Sequence, residues 1–494
     1  MSLPHIGHDS SSTIPRSGRR TAWLWSSLIA IGGFLFGYET GVIAGALLFI
    51  TPEFDLSAFA QGSVVSALLL GAMLGALVAG RVADRLGRRM TFGIEGGVFI
   101  VGALTTVCAN AYIPLLTGRF TLGIAIGALS ATVPVYLSEV SPAEIRGRTM
   151  TLNQLLMTIG ILSAYTVNFA FSGMENWRIM LAIGIAPAVV MIVAACMLLP
   201  ESPEWLWARG KTEDAHRVLR SILGGAGATA HLRGRDRDEL STRDGFGWRS
   251  LLMPQVRPAL VVGATLAAVQ QLSGINTIIY FAPSIIADTG LDVSQSIFYS
   301  IAIGTINLIM TIVSIRLVDR VGRRWLLLSS LGAMTATLTF LGLSFVLEAH
   351  PTVSLALMVA YIAAFAVGMG PVFWVLVGEI FPNSARAHGS SASTAINWGT
   401  NFAVSLMFLS VVRAIGLGET FWVFALVCAG SFVFVTKYVP ETKGRDFEAV
   451  DTELQRRFAR SGPARALAGA GAGSASADAP DMPRIHAPSD SGPR

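Results

Sequence analysis

Arg81-Val82-Ala83-Asp84-Arg85-Leu86-Gly87-Arg88-Arg89 is a short, densely charged stretch set between two long apolar runs. It returns as Arg316-Leu317-Val318-Asp319-Arg320-Val321-Gly322-Arg323-Arg324, 235 positions downstream (81 to 316), with six of the nine residues identical. A repeat this dense marks two halves of similar build, each with the same polar clasp at the same place. Glu139, Pro142 and Arg146 recur as Glu379, Pro382 and Arg386, 240 positions on (139 to 379), and Pro200-Glu201 recurs as Pro440-Glu441 at that same offset.

What lies between the clasps sets the fold class. Of the 494 residues, 52% are hydrophobic and only 14% charged, against about 25% charged in a soluble domain. The apolar residues come in separate runs of about 20, the length a helix needs to cross about 30 Å of hydrocarbon. Twelve such runs are read near 22–49, 61–80, 90–110, 112–137, 149–172, 178–199, 258–287, 295–317, 325–347, 353–378, 388–412 and 419–438. The expected architecture is an all-α membrane protein of twelve transmembrane helices in two six-helix bundles, with short cytoplasmic helices between them. The divisions are a tail over 1–21, a first bundle over 22–199, a linker over 200–257, a second bundle over 258–438 and a tail over 439–494. The linker's mixed segment to about 222 reads as one or two short amphipathic helices. Beyond about 460 the chain is mostly Ala, Gly, Ser and Pro and is expected to be disordered.

Lys and Arg fall in the loops after runs 2, 4, 6, 8 and 10, which places those loops and both termini in the cytoplasm by the positive-inside rule. The net charge of +5 therefore reports membrane insertion and gives no reason to expect a nucleic-acid partner. The first twenty residues hold no apolar h-region, so no cleavable signal peptide is expected. Cys108, Cys196 and Cys428 all lie in apolar runs with no metal or redox spacing, and are expected to be buried as small hydrophobes.

An ionisable side chain within a span costs a few kcal/mol or more unless paired or watered, so the short intramembrane list is informative. Glu39 in run 1 and Arg119 in run 4 are the acid and base well inside the first half, and mutual pairing lowers both penalties. A carboxylate so placed can exchange a proton as access and pairing change; the plainer reading is a static pair that fixes helix packing. The second half offers neutral polar groups: Gln270, Gln271, Asn276 and Tyr280 in run 7, Asn307 in run 8, Trp374 in run 10, and Asn397, Trp398 and Asn401 in run 11, with Gln154 from run 5. Gln270 and Gln271 cannot point the same way in a regular helix, and Gly274 offers a break that would bring them together. Amides give donors and acceptors and indoles give flat apolar faces, a combination that suits a sugar ring. Any one of these amides alone can equally be an interhelical bond. No nucleophile–base–orienter set or metal cluster appears, so an enzyme is not expected.

Each clasp holds four arginines and one acid. Ordinary positive-inside charge accounts for that. The duplication, with Glu139/Arg146 and Glu379/Arg386 on neighbouring ends, points instead to a charge network joining the halves, a gate that must break for the cytoplasmic side to open. Its members are Asp84, Arg85, Arg88, Glu139, Arg146, Glu201, Asp319, Arg320, Arg323, Glu379, Arg386 and Glu441.

Residues 25–450 resemble the sugar porter family of the major facilitator superfamily. The marks are the doubled clasp, Gly118-Arg119, Pro134-Val135-Tyr136-Leu137-Ser138-Glu139, Pro200-Glu201-Ser202-Pro203, Gln270-Gln271-Leu272-Ser273-Gly274-Ile275-Asn276 and Pro440-Glu441-Thr442-Lys443-Gly444-Arg445. The resemblance implies a central cavity working by alternating access. It implies sugar contacts at Gln154, Gln270, Gln271, Asn276, Asn307, Trp374, Asn397 and Trp398, with Phe36 and Tyr280 lining the same cavity. It also implies proton coupling by Glu39 and Arg119. Three positions depart from the family pattern: Glu39 stands where Asp is usual, Glu204 where Arg is usual, and Phe281 where a second tyrosine is usual. Glu95, near the inner end of run 3, receives no role. The expected function is proton-coupled import of a monosaccharide, a hexose foremost, across the inner or plasma membrane. A passive uniporter and a membrane sugar sensor are the alternatives. The partners are a sugar and the lipid bilayer, the proton is the coupling ion, no cofactor is expected, and the sequence bears no mark of an oligomeric state.

Overall fold

The computed structural model describes residues 15–224, 251, 253–382, 385–445 and 447–461. The expected N-terminal tail to residue 14, residues 225–250 and 252 of the linker and the tail from 462 lie outside the described residues, as does the side chain of Asp319. Among the described residues, twelve helices are long and apolar enough to cross a membrane. Spans 1–6 are Ser17–Glu53, Ala58–Leu86, Arg88–Val107, Tyr112–Val140, Glu144–Ser172 and Trp177–Met197. Spans 7–12 are Arg257–Ala287, Val293–Val318, Arg323–Val346, Pro351–Ile380, His388–Ile415 and Leu417–Tyr438.

The clasps end one helix and start the next. Gly87 has φ +96° and Gly322 φ +103°, a backbone that glycine adopts without strain. The spacing between the clasps extends to the opposite end of the same helices. Ser57 caps span 2 by accepting from Ala60 N, and Asp292, again 235 positions on (57 to 292), caps span 8 by accepting from Gln295 N. Side-chain oxygens at this position satisfy N–H groups that the first turn leaves unpaired.

Helix packing repeats as well. Span 2 packs on 4, 1 on 5, 3 on 4 and 3 on 6, and the second half answers with 8 on 10, 7 on 11, 9 on 10 and 9 on 12. The halves meet where span 2 packs on span 11 and span 5 on span 8, two contacts that exchange under the repeat. Both reach toward the end away from the clasps: bare Gly62 faces the Leu406 carbonyl, and Gly304 faces Leu162 and Tyr165.

Three features differ from the sequence expectation. The helix of span 1 begins at Arg16 and bends at Ala30 before continuing over Ile31–Glu53, so part of the expected tail is helical. Span 10 breaks at Gly368, dividing it into Pro351–Val367 and Met369–Ile380. A helix over Phe447–Ser461, with Val450 and Leu454 buried, follows span 12. It is tied to the start of span 7 by Gln455 Nε2 donating to the Gln255 carbonyl at 2.6 Å. The short linker helices appear as expected at Pro203–Ala208 and 212–224.

Candidate functional site

Span 1 approaches span 5 through a ladder of glycines. A Cβ at Gly33, Gly37, Gly41 or Gly45 would meet Asn153, the Met157 carbonyl, Ile161 with Ala164, or Asn168. Small residues four apart let two backbones come close, as helix packing in a bilayer favours. This contact fixes the face on which Glu39 stands. Arg119 Nη1 donates to Glu39 Oε2 at 2.7 Å, and both side chains are 1% exposed. Arg119 Nε donates weakly to the Val64 carbonyl at 3.4 Å. Glu39 Oε1 has no hydrogen-bond partner among the described residues. The longer glutamate therefore reaches its arginine, and one carboxyl oxygen is left over.

In the second half the amides close into a network built on Asn397. Its Nδ2 donates to Gln270 Oε1 at 2.8 Å and to the Ala267 carbonyl at 3.1 Å, and its Oδ1 accepts from Gln271 Nε2 at 3.1 Å. Asn276 Nδ2 donates to Gln271 Oε1 at 2.7 Å. Gln270 Nε2 donates to the carbonyls of Met369 and Gly370 just past the break in span 10. The two glutamines are thus joined within the regular helix by an asparagine from span 11 seated between them. The break at Gly274 follows them and has another consequence: Asn276 points back onto Gln271. Gly274 itself is left-handed, φ +82°, with the Phe424 ring where a Cβ would go. Tyr361 Oη donates to the Ser273 carbonyl at 2.8 Å.

Nearby, Tyr280 Oη accepts from Asn401 Nδ2 at 3.4 Å, and Ser405 Oγ donates to Asn401 Oδ1. Phe36 of the first half meets Trp398 of the second with ring centroids 5.7 Å apart. Gln154 and Asn307 are half-buried on the facing spans 5 and 8, apart from the amide network. Trp374 is exposed and lies edge-on to Phe373.

The clasp charges take a different arrangement from the expected one. Arg88 pairs with Asp84 and Glu139, both at 3.1 Å, and Arg323 pairs with Glu379 at 3.1 Å. Each of these contacts stays within its own half. Arg146 and Arg386 are exposed; Glu139 and Glu379 each give one oxygen to a clasp arginine instead, and Glu379 Oε2 accepts from Thr442 Oγ1. Asp84 is a largely exposed side chain, and the N–H groups of the neighbouring helix go to Glu201. Its Oε1 accepts from Arg88 N at 2.7 Å and Arg89 N at 3.1 Å, and Glu441 accepts from Arg323 N and Arg324 N at 2.8 and 3.1 Å. A carboxylate at a helix N-terminus satisfies free donors and complements the dipole. A side chain at Gly87 or Gly322 would strike these carboxylates. Arg85 and Arg320 contribute backbone: their carbonyls accept from Arg209 and Lys443.

Other charged groups found partners the sequence did not assign. Glu95 is buried, with Oε1 accepting from Thr132 Oγ1 at 2.7 Å. At the end away from the clasps, Glu53 receives two bonds from Arg178, at 2.6 and 3.0 Å, and one from Trp177 Nε1 at 2.6 Å. Of the cysteines only Cys428 is buried; Cys108 and Cys196 are exposed on the apolar surface, so two of the three burial expectations fail.

Two six-helix halves related by a repeat, one holding a buried ion pair and the other an amide network beside broken helices, define a membrane carrier of the major facilitator fold and not an enzyme. The family model described as "Sugar (and other) transporter" matches residues 25–454, and the chain belongs to that family. It is 39% identical over 438 residues to a probable metabolite transport protein, CsbC, of Bacillus subtilis, covering 87% of this chain and 94% of that one. It is 37% identical over 436 residues to a D-xylose transporter of Levilactobacillus brevis, covering 87% and 94%. Among solved structures, it is similar to the proton:xylose symporter XylE bound to 6-bromo-6-deoxy-D-glucose, with TM-score 0.75, 29% identity, and coverage of 88% of this chain and all of that one.

Proposed function

We propose that this protein imports a monosaccharide together with protons by alternating access, with the clasp end facing the cytoplasm. The observation that carries the proton is the buried Arg119–Glu39 pair with its unpartnered Oε1. A proton on Glu39 removes the charge that holds Arg119, so pairing and protonation exclude one another. Coupling follows if the pair must part for the halves to rock.

The sugar binds between the halves against Gln270, Gln271, Asn276, Asn397 and Trp398, with Phe36 and Tyr280 on the walls and Gln154, Asn307 and Trp374 completing the contacts. The amides already bond one another, which holds their dipoles in fixed directions before a hydroxyl arrives. Preorganised polar groups bind with less ordering cost. The clasps act as paired hinges within each half, and their rearrangement accompanies opening of the cytoplasmic side. The relatives named as sugar transporters support this reading. Adding sugar to deenergised cells containing the protein is expected to alkalinise the medium; sugar entry without any proton uptake would favour the passive uniporter.

A further inference from the structure

A proline inside a helix leaves the carbonyl four residues earlier without its amide partner. In span 10 the Val367 carbonyl, free at the Gly368 break just before Pro371, accepts from Ser314 Oγ of span 8, in the same half, at 2.8 Å. In span 7, Pro283 frees the Ile279 carbonyl. That carbonyl is taken by Tyr165 Oη of span 5, in the other half, at 2.8 Å. Tyr165 is fully buried and Ile279 nearly so.

We propose that Tyr165, Ile279 and Pro283 form a latch that holds the halves together at the end away from the clasps. This rests on the alternating-access reading above. Three observations place the bond in that role. Tyr165 lies on the span 5–span 8 contact, where Gly304 lets it approach. Ile279 lies in the segment of span 7 beyond the break at Gly274, one residue before the cavity residue Tyr280. That segment is anchored on its own half, where Phe281 stacks on Phe408 and Phe408 on Phe424. The proline leaves the helix unable to satisfy the carbonyl itself, so parting the halves exposes a bare acceptor. The hydroxyl therefore favours the state closed at this end, and water replaces it when the halves open.

The test measures distances across that end, between spin labels at Met174→Cys and Leu347→Cys, in the full-length protein with its native cysteines replaced. Both positions are exposed, one in each half. Tyr165→Phe keeps the ring and removes the donor. It is expected to raise the ratio of long to short distances by between about twofold and tenfold, the range of one net hydrogen bond. Pro283→Ala restores the helix's own amide to Ile279, so in that background Tyr165→Phe is expected to change the ratio much less. Unchanged populations in Tyr165→Phe, or an equal shift in both backgrounds, would overturn the latch while leaving alternating access intact. A single distance under all conditions, with and without sugar and at either pH extreme, would overturn alternating access and the latch together.

Discussion

Arg119 and Glu39 form a 2.7 Å ion pair in which neither side chain is more than 1% exposed. Removing one member of a buried pair strands the other, at a cost of about 3–5 kcal/mol, whereas removing both is far milder. Arg119→Met is expected to lower the thermal stability of the purified protein strongly. The double variant Arg119→Met/Glu39→Gln should recover more than half of that loss. Equal unfolding temperatures for the single and double variants would show that Glu39 left without its partner carries no penalty, against this reading.

Asn397 supports three bonds of the amide network, so Asn397→Ala leaves Gln270 and Gln271 each short of a partner. A buried polar group left unsatisfied costs about 1–3 kcal/mol. Sugar affinity of the purified carrier should fall about tenfold or more, measured by calorimetry or by tryptophan quenching. An unchanged affinity would place the sugar elsewhere.

Glu201 caps the start of span 3 at the first clasp. Glu201→Ala is expected to cost about 1 kcal/mol, within the range for lost helix caps, and to slow transport while leaving the sugar dissociation constant within about twofold. Gly87→Ala should be worse, because the residue must hold φ +96° and its methyl would strike that carboxylate. Direct binding measured beside initial uptake rates separates the two effects.

The helix over Phe447–Ser461 carries a pH-dependent contact. Arg457 donates to Glu453 at 2.8 Å and holds its carboxyl below the usual range. A depressed carboxyl stabilises the folded form above its ordinary value of about 4.3 and ceases to do so as pH falls through the lower folded value. Hydrogen-exchange protection factors in this helix, which remove the intrinsic pH dependence of exchange, should therefore fall in acid, and that fall should be smaller in Glu453→Gln. Because the pair is only partly buried, at the surface, the effect is expected to be small.

The helices were legible because hydrocarbon thickness imposes a length on each apolar run, and the clasp fixed the repeat. Glu39 and Arg119 were legible because ionisable groups inside such runs are scarce and need one another. The clasp network is less legible: a repeated cluster of arginines and acids looks the same whether it joins the halves or ties helices within a half, as the pairs of Arg88 and Arg323 do. Glu201 was grouped with that network, but its position on the N–H groups of Arg88 and Arg89 depends on a backbone turn at Gly87. The helix after span 12 was missed because it is short and strongly polar, with Val450 and Leu454 among its few buried residues. Asn397 was singled out among several amides, yet its seat between Gln270 and Gln271 follows from how spans 7 and 11 pack.

The most direct test of proton coupling uses Glu39→Gln, whose amide oxygen can still accept from Arg119. In proteoliposomes with an imposed proton gradient, the unaltered protein should concentrate labelled sugar above the external level. Glu39→Gln should only equilibrate it, while exchanging labelled for unlabelled sugar across the same membrane at a comparable rate. Accumulation by Glu39→Gln to the same level as the unaltered protein would contradict the account.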